Sequence, residues 1–392
     1  MKKQRESISQ KIPYGRQNIT DDDIKAVVEV LKSDWLTQGP NIKKFEDAFA
    51  KYVGSKYAIA VSNGTAALHL NAIALNVKPG DKVITTPITF VATANCVRYC
   101  GGEVVFADID PDTYLLDLES VREILGKDPE GNYKGIIPVN FAGRVVDMEA
   151  FRDLADEYGL WIIEDACHSP GGYFIDSKGK KQLAGNGKFA DLSIFSFHPV
   201  KHIAAGEGGM ITTNNEELYS KLLNLRTHGI QQDYSKRVHD DSLWYYEMQE
   251  LGYNYRLTDI QAALGLSQLS RANEGLHIRK SIAAKYYNAF KGQDFIKGQS
   301  GVVDGHAYHL YVIEVDRRQE LHSYLREHNI FSQIHYIPVH LMPYYRDFGW
   351  KEGVMPVSET YYNNCISLPI FPTLTDLEQK KVIDLIIEFY NN

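Results

Sequence analysis

A lysine and an acidic residue stand at the ends of two strand-like segments of this chain. Lys201 follows the β-branched and aromatic segment 192–197, and Asp165 ends the apolar segment 160–165. An amine and a carboxylate at neighbouring strand ends suit pyridoxal phosphate chemistry, because the amine can form a Schiff base with the aldehyde of the cofactor. The carboxylate would keep the pyridine nitrogen protonated, so that the ring can accept electrons. This arrangement predicts an enzyme with Lys201 and Asp165 as its catalytic residues.

A turn upstream of these residues has the composition of a phosphate-binding site. Residues 62–67 read Ser-Asn-Gly-Thr-Ala-Ala and stand where a predicted strand passes into a helix. Small and hydroxyl residues at such a junction expose backbone N–H groups at the positive end of the helix, which suits a phosphate. Most such turns are only helix caps, but the presence of Lys201 and Asp165 favours a phosphate cup. Ser196 could add a hydroxyl to it.

Two other side chains could contact a cofactor ring. Phe90 follows a strand and could stack flat on a pyridine ring, although a lone aromatic residue more often belongs to a core. His168, three residues after Asp165, could hydrogen-bond the phenolic oxygen of the cofactor or Asp165 itself, and the alternative is an ordinary loop histidine. The glycines of 206–209 permit a close approach of the backbone, which suits a lysine loop beside a planar ring.

Apolar strands alternate with helices from about residue 20 onward. Thr20 and the three aspartates after it predict the start of a helix. Strands are predicted at 57–61, 82–86, 104–106, 135–139 and 161–163. This alternation predicts an α/β fold in which helices cover both faces of a mostly parallel sheet.

The pattern changes after the predicted helix 258–266. Residues 309–315 and 332–336 are predicted strands on either side of a charged helix, and an amphipathic helix closes the sequence. We therefore predict three parts: an N-terminal arm at 1–17, a large cofactor-binding domain at 18–266 and a smaller C-terminal α+β domain at 267–392.

Composition and charge exclude several classes of protein. The 392 residues are 44% hydrophobic and 23% charged, and the net charge of −8 does not suit binding to nucleic acid or to a membrane surface. An anionic substrate would therefore need local basic residues. No apolar run is long enough to span a membrane, and the first residues do not resemble a secretory signal. Four cysteines without a C-x-x-C pair predict no disulfide framework and no metal site, as expected of a cytoplasmic protein.

Several of these motifs together resemble a known family. Residues 62–68, 85–95, 163–169, 196–209 and 252–264 are similar to the DegT/DnrJ/EryC1 sugar aminotransferases, and the Ser-x-His-x-x-Lys spacing at 196–201 is the most specific of them. The resemblance extends from about Ile12 to the end of the sequence. It implies an aspartate aminotransferase-like fold of PLP fold type I, with a mostly parallel seven-stranded sheet in the large domain.

The resemblance also implies roles for individual residues. Lys201 would be the Schiff-base lysine, Asp165 the partner of the pyridine nitrogen, His168 a neighbour of the phenolic oxygen and Phe90 the stacking ring. The phosphate would be bound by Thr65, Ala66 and Ser196, and by Asn254 from the partner subunit, which makes the homodimer part of a complete site. Weaker candidates for substrate contacts are Arg256, His309, Tyr311, His335 and Tyr336.

Within the family, the resemblance is strongest to the branch that aminates a UDP-4-keto sugar in pseudaminic acid synthesis. It is carried by 12–17, 36–40, 85–95 and 263–269. It implies transfer of an amino group from L-glutamate to C4 of a UDP-4-keto-6-deoxy-N-acetylhexosamine. The product would be UDP-4-amino-4,6-dideoxy-N-acetyl-beta-L-altrosamine.

Other functions remain open at this stage. Transaminases that make perosamine, other 4-amino sugars or 3-amino sugars would have the same lysine loop. A non-catalytic regulator of the same fold is disfavoured by the intact set of Lys201, Asp165 and Ser196. A lysine-dependent aldolase would be trapped by borohydride with its substrate but would lack cofactor absorbance. The sequence leaves the C4 stereochemistry and the choice between dimer and tetramer undecided.

Overall fold

The computed structural model describes residues 11–230, 242, 244–298 and 303–391. Residues 1–10, most of the predicted N-terminal arm, lie outside the described residues. None of the helices in these ranges combines the length and the apolar character needed to cross a lipid bilayer.

Strands and helices alternate through the first half of the chain and mix less regularly in the second. The strands are β1 (Ile12–Pro13), β2 (Tyr57–Val61), β3 (Lys82–Thr85), β4 (Glu103–Phe106), β5 (Tyr133–Ile137), β6 (Trp161–Asp165), β7 (Tyr173–Ile175), β8 (Lys181–Leu183), β9 (Leu192–Ser196), β10 (Gly209–Thr213), β11 (Ile296–Gly298), β12 (Tyr311–Val315), β13 (Ile330–Phe331) and β14 (Cys365–Leu368). The helices are α1 (Asp21–Leu31), α2 (Pro40–Val53), α3 (Gly64–Ala74), α4 (Ala92–Tyr99), α5 (Leu118–Lys127), α6 (Met148–Tyr158), α7 (Glu216–Arg226), α8 (Asp259–Ser270), α9 (Ala272–Phe290), α10 (Arg318–Glu327), α11 (Pro343–Arg346), α12 (Pro356–Asn364) and α13 (Asp376–Asn391).

Helix starts follow the capping chemistry of the sequence. Thr20 precedes α1, and the backbone N–H of Thr20 donates to the carboxylate of Asp23, as predicted for this helix start. At the start of α8 the capping is reciprocal. The backbone N–H of Thr258 donates to the side-chain oxygen of Gln261, and the backbone N–H of Gln261 donates to the hydroxyl of Thr258. These caps satisfy N–H groups that the first turn of a helix leaves without an intrahelical acceptor.

A central sheet of seven strands has the order β2-β10-β9-β6-β5-β3-β4. β10 is antiparallel to both of its neighbours, and the other strand pairs are parallel. The strands are buried because apolar helix faces pack on both sides, as the continuous apolar segments predict. The predicted mostly parallel sheet and the PLP fold type I architecture are confirmed.

One edge of this sheet gathers the residues singled out in the sequence. β6 ends at Asp165 and β9 ends at Ser196, while β2 leads into Asn63 and the start of α3. Parallel strands bring their carboxyl ends to the same edge, which is where ligands bind in open α/β sheets. Gly209, the first residue of β10, completes this edge by pairing with Val61 and Ser196.

The C-terminal part has its own antiparallel sheet, in the order β11-β12-β14. Helices α9, α10 and α13 contribute side chains to a separate apolar cluster with this sheet. β1 pairs in parallel with β13, through Ile12 opposite Ile330, so the start of the described chain is attached to this part.

Two predictions about this part need comment. The predicted strand 332–336 is wrong, because pairing there is limited to Gln333 opposite Ser367 and the strand β13 ends at Phe331. His335 and Tyr336 make side-chain contacts there: Nδ1 of His335 lies 2.9 Å from the hydroxyl of Ser367, and the hydroxyl of Tyr336 lies 3.3 Å from Nε2 of His168. The predicted boundary at residue 266 falls inside α8, and the division into an arm and two domains stays a prediction.

Candidate active site

Asp165 is held at the end of β6 by hydrogen bonds to both carboxylate oxygens. Oδ2 accepts a hydrogen bond of 2.8 Å from the hydroxyl of Thr93, and Oδ1 accepts one of 3.1 Å from the backbone N–H of Cys167. The hydroxyl of Thr93 lies 2.8 Å from that of Thr89. Asp165 is 5% exposed, so these donors orient a carboxylate that water hardly reaches.

Lys201 lies in the loop between β9 and β10 and is partly buried. Its amine Nζ is 3.4 Å from Nε2 of His309. Burial, the largest effect, lowers the pKa of Lys201, and the positive charge of Arg279 lowers it further, whereas the charges of Cys167 and Asp165 raise it. The negative charge of Asp165 therefore acts on Lys201, and because burial has the larger effect, the amine is easier to deprotonate than an exposed lysine.

Buried histidines surround the lysine. The rings of His168 and His309 have centroids 4.4 Å apart, and Nε2 of His168 lies 3.3 Å from the hydroxyl of Tyr336. Burial lowers the pKa of His168, His202 and His309 well below the usual value. Each ring is therefore neutral at physiological pH and can donate through one nitrogen and accept through the other.

The start of α3 forms a cradle of small residues beside Ser196. Asn63 caps the helix, and its side-chain oxygen accepts a hydrogen bond of 2.8 Å from the backbone N–H of Ala66. A Cβ atom added at Gly64 would lie 3.1 Å from Cβ of Ser196 and 3.6 Å from Sγ of Cys167. The start of this 11-residue helix is the positive end of its dipole, so the cradle suits a phosphate.

The other predicted site residues have diverse positions. Phe90 follows β3 and its ring is 59% exposed, so one face is available to a ligand. Asn254 is exposed and forms an isolated β-bridge with Thr227. Arg256 forms an isolated β-bridge with Val61, at the end of β2.

His335 and Tyr311, two of the candidates for substrate contacts, have different surroundings. His335 is buried, with Nδ1 2.9 Å from the hydroxyl of Ser367. Burial and, to a smaller extent, the positive charge of Lys201 lower the pKa of His335. Tyr311 stacks on Tyr286 with ring centroids 4.9 Å apart, inside the C-terminal apolar cluster.

Sequence reasoning missed several residues of this pocket. Thr93 contacts Asp165 directly, His202 follows the lysine and its Nε2 donates to the carbonyl of Ala307 over 2.9 Å, and Cys167 lies between Asp165 and the cradle. A local signal existed for His202 alone, since it is adjacent to Lys201. The pocket as a whole has an amine of lowered pKa, a fixed carboxylate and an anion cradle, which could hold pyridoxal phosphate by its aldehyde, ring nitrogen and phosphate.

A family model matches nearly the whole chain. The model of the DegT/DnrJ/EryC1/StrS aminotransferase family covers residues 17–387. Aminotransferases of this family depend on pyridoxal phosphate, so the cofactor predicted from the lysine loop is confirmed.

Curated relatives and solved structures are similar over their full lengths. An uncharacterized protein of Methanocaldococcus jannaschii is 42% identical over 383 residues, and the spore coat polysaccharide biosynthesis protein SpsC of Bacillus subtilis is 39% identical over 384 residues. Each match covers 96% of this chain and 96% of the relative. The structure of Helicobacter pylori PseC, an aminotransferase involved in the biosynthesis of pseudaminic acid, superimposes with a TM-score of 0.87 at 29% identity, covering 97% of this chain and 100% of PseC.

Proposed function

The chain belongs to the DegT/DnrJ/EryC1/StrS aminotransferase family, and from this premise we propose that it aminates C4 of a UDP-4-keto-6-deoxy-N-acetylhexosamine, with L-glutamate as donor. The product would be UDP-4-amino-4,6-dideoxy-N-acetyl-beta-L-altrosamine, a precursor for pseudaminic acid. The observation that carries the proposal is the joint placement of Lys201, Asp165 and the α3 cradle at one edge of the sheet.

Each residue of the site has a proposed task. Pyridoxal phosphate, when bound, supplies a ring that accepts electrons from the carbon that loses a proton. Asp165 would hold the proton on the ring nitrogen, and Thr93 keeps that carboxylate oriented. Lys201 would hold the aldehyde and, once released, move a proton between the donor carbon and the cofactor, which its lowered pKa favours. Ser196 and the first turn of α3 would bind the phosphate.

A second subunit is part of the proposal. Large apolar side chains are exposed between residues 244 and 251, among them Trp244 (79% exposed) and Leu251 (74% exposed). Exposed apolar surface of this kind marks contact sites between proteins. Asn254 lies three residues after Leu251, so a homodimer that covers this segment would bring Asn254 to the phosphate site of the partner.

A different keto sugar is the second candidate. The identity to SpsC, a spore coat polysaccharide protein, is 39%, whereas the identity to PseC is 29%. This difference favours a related nucleotide-sugar aminotransferase that supplies another surface polysaccharide.

Direct assay separates the two candidates. The purified protein with pyridoxal phosphate and L-glutamate is offered UDP-4-keto and other keto-sugar nucleotides, and the products are identified by NMR. We expect amination at C4 of the UDP-linked 6-deoxy sugar, and amination of another sugar alone would favour the second candidate. Lys201→Ala should lower turnover at least about 10³-fold. Full activity in that variant would contradict both.

A further inference from the structure

A small cavity reaches the lysine from the side of the N-terminal segment. It has a volume of about 180 Å³ and is lined by Lys201 and His202, by Arg16, and by Arg271 and Arg279 from the α8–α9 region. Ligand pockets for drug-sized molecules are about 300–1,000 Å³. A nucleotide sugar is therefore too large for this cavity, whereas a small amino acid or 2-oxo acid is not.

Arg16 is the distinctive cation of this cavity. Its guanidinium lies 4.8 Å from the ring centre of the buried Phe371. Among the residues that the structure describes, it has no hydrogen-bond acceptor and no acidic partner. Contact with an aromatic face holds a guanidinium in place while its N–H donors stay available for a ligand.

The other two arginines are already engaged. Arg271 donates to both carboxylate oxygens of Asp23, at 3.0 and 2.6 Å, and this pair is close to neutral. Arg279 is 1% exposed and donates to the carbonyl of Ile370 over 2.9 Å. Glu274 also lines the cavity and is the one acidic residue among its described lining residues, against three arginines. With Arg271 paired to Asp23, Arg16 and Arg279 still outweigh Glu274, so the cavity is positive in a chain whose net charge is −8.

We propose that this cavity binds the carboxylate end of the amino donor and of the 2-oxo acid formed from it, with Arg16 as the charge partner. The inference rests on the proposed aminotransferase function, because a donor must place its nitrogen where Lys201 holds its own. A planar guanidinium binds a carboxylate through two parallel hydrogen bonds. The cavity connects Arg16 to Lys201, so one small molecule can meet both.

The two half-reactions separate a donor site from a sugar site. Wild-type holoenzyme, Arg16→Gln, Arg16→Lys and the surface control Arg122→Gln are mixed with L-glutamate alone, and the absorbance of the bound cofactor is followed. Each aminated enzyme is then mixed with the keto-sugar nucleotide alone. We expect Arg16→Gln to raise the half-saturating L-glutamate concentration at least about tenfold and Arg16→Lys to raise it less. The keto-sugar half-reaction and the control should stay within about twofold.

Calorimetric titration with 2-oxoglutarate gives a second readout, and we expect Arg16→Gln to weaken its binding by the same factor. An unchanged L-glutamate response, or an equal rise for both half-reactions, would overturn the inference. A wild-type enzyme that reacts with L-glutamate but aminates no keto sugar would refute the proposed sugar function and leave the donor site supported. If thermal unfolding indicates that Arg16→Gln is unfolded, the Arg16→Lys variant provides the test. A half-saturating L-glutamate concentration equal to that of the wild type in Arg16→Lys would then overturn the inference.

Discussion

Nζ of Lys201 and Nε2 of His309 lie 3.4 Å apart, and His309 is buried at this contact. Burial lowers the pKa of both groups, and His309, whose pKa lies well below the usual value, is neutral at physiological pH. With the ring proton on Nδ1, Nε2 accepts a hydrogen bond from the amine. In the proposed reaction, His309 would therefore hold the amine in position whenever Lys201 is not bonded to the cofactor.

Replacement of His309 tests this contact. We expect His309→Asn, which is too short to reach the amine, to lower kcat about tenfold, because the lysine loses its orienting partner. His309→Gln places a polar atom near the position of Nε2 and should recover part of the rate. Steady-state kinetics and the cofactor content of each variant are measured. A normal rate in His309→Asn, or a loss explained by missing cofactor, would contradict the positioning role.

The hydrogen bond from Thr93 to Asp165 predicts a graded loss of turnover in variants of these two residues. Thr93→Val keeps the shape of the side chain and removes a hydrogen bond to a buried carboxylate, which is worth about 1.5–3 kcal/mol. Turnover should fall about 10–100-fold, and Thr93→Ser, which retains the hydroxyl, should stay near the wild type. Asp165→Asn should lose more, about 10²–10⁴-fold, because the negative charge itself is lost. If Thr93→Val equals wild type in turnover and in the absorbance of bound cofactor, the hydrogen bond has no role.

Gly64 offers a test of the phosphate cradle. The added Cβ of Gly64→Ala would meet Ser196 at 3.1 Å, which is closer than most contacts of a Cβ atom, and should narrow the cradle. We expect pyridoxal phosphate to bind apoenzyme about tenfold more weakly, as measured by titration of the apoenzyme. Gly126→Ala in α5 is the matched control, because nothing lies within 4 Å of its Cβ. Equal affinities in the two variants would place the phosphate elsewhere.

Local patterns were sufficient for the sheet and for the residues at its edge. β6 and β9 are mostly buried and rich in β-branched and aromatic residues, so their ends at Asp165 and Ser196 were predictable from residue types. The rule that parallel strands share an edge then brings both to one pocket. Lys201 was predictable because it stands a few residues after the end of β9.

Contacts between distant segments could not be predicted in this way. Thr93 is 72 residues from Asp165 in sequence, and its contact depends on how α4 packs beside β6. Arg16 lies over Phe371 because the N-terminal segment is attached to the C-terminal part, by the pairing of β1 with β13 and by the hydrogen bond from Ile370 N–H to the carbonyl of Tyr14. No periodicity in the sequence indicates these contacts. The wrong strand at 332–336 has the same origin, because the local residue types did not show that backbone pairing there would be limited to Gln333 opposite the distant Ser367.

Buried histidines predict a loss of stability in acid. Burial lowers the pKa of His335 to about 3, while an unfolded chain binds the proton near pH 6.5. Between these values the unfolded state binds more protons. As the pH is lowered through this range, the free energy of unfolding should therefore fall by up to about 1.4 kcal/mol per pH unit for this residue. Above pH 6.5 the effect is absent. Burial lowers the pKa of His168 and His309 as well and adds to the slope.

Urea unfolding at pH 7.5, 6.5 and 5.5 measures this slope. His335→Asn can keep the hydrogen bond with the hydroxyl of Ser367 and cannot take up a proton, so its stability should depend less on pH. His277→Asn replaces an exposed histidine and should keep the wild-type slope. If both variants show the same slope as the wild type, His335 does not contribute to it.

The proposed exchange of Asn254 between subunits predicts complementation. Lys201→Ala and Asn254→Ala should each be nearly inactive as homodimers. In a mixed dimer, one site would combine the intact Lys201 of one subunit with the intact Asn254 of the other. Equal mixing with free exchange gives about half mixed dimers, each with one of two sites intact, so about a quarter of wild-type activity should return. Mixing Lys201→Ala with Asp165→Asn is the control, because these residues share a subunit and no intact site can form. If no activity returns in the test mixture, Asn254 does not serve the partner. If activity also returns in the control, the recovery does not depend on Asn254 being supplied by the other subunit.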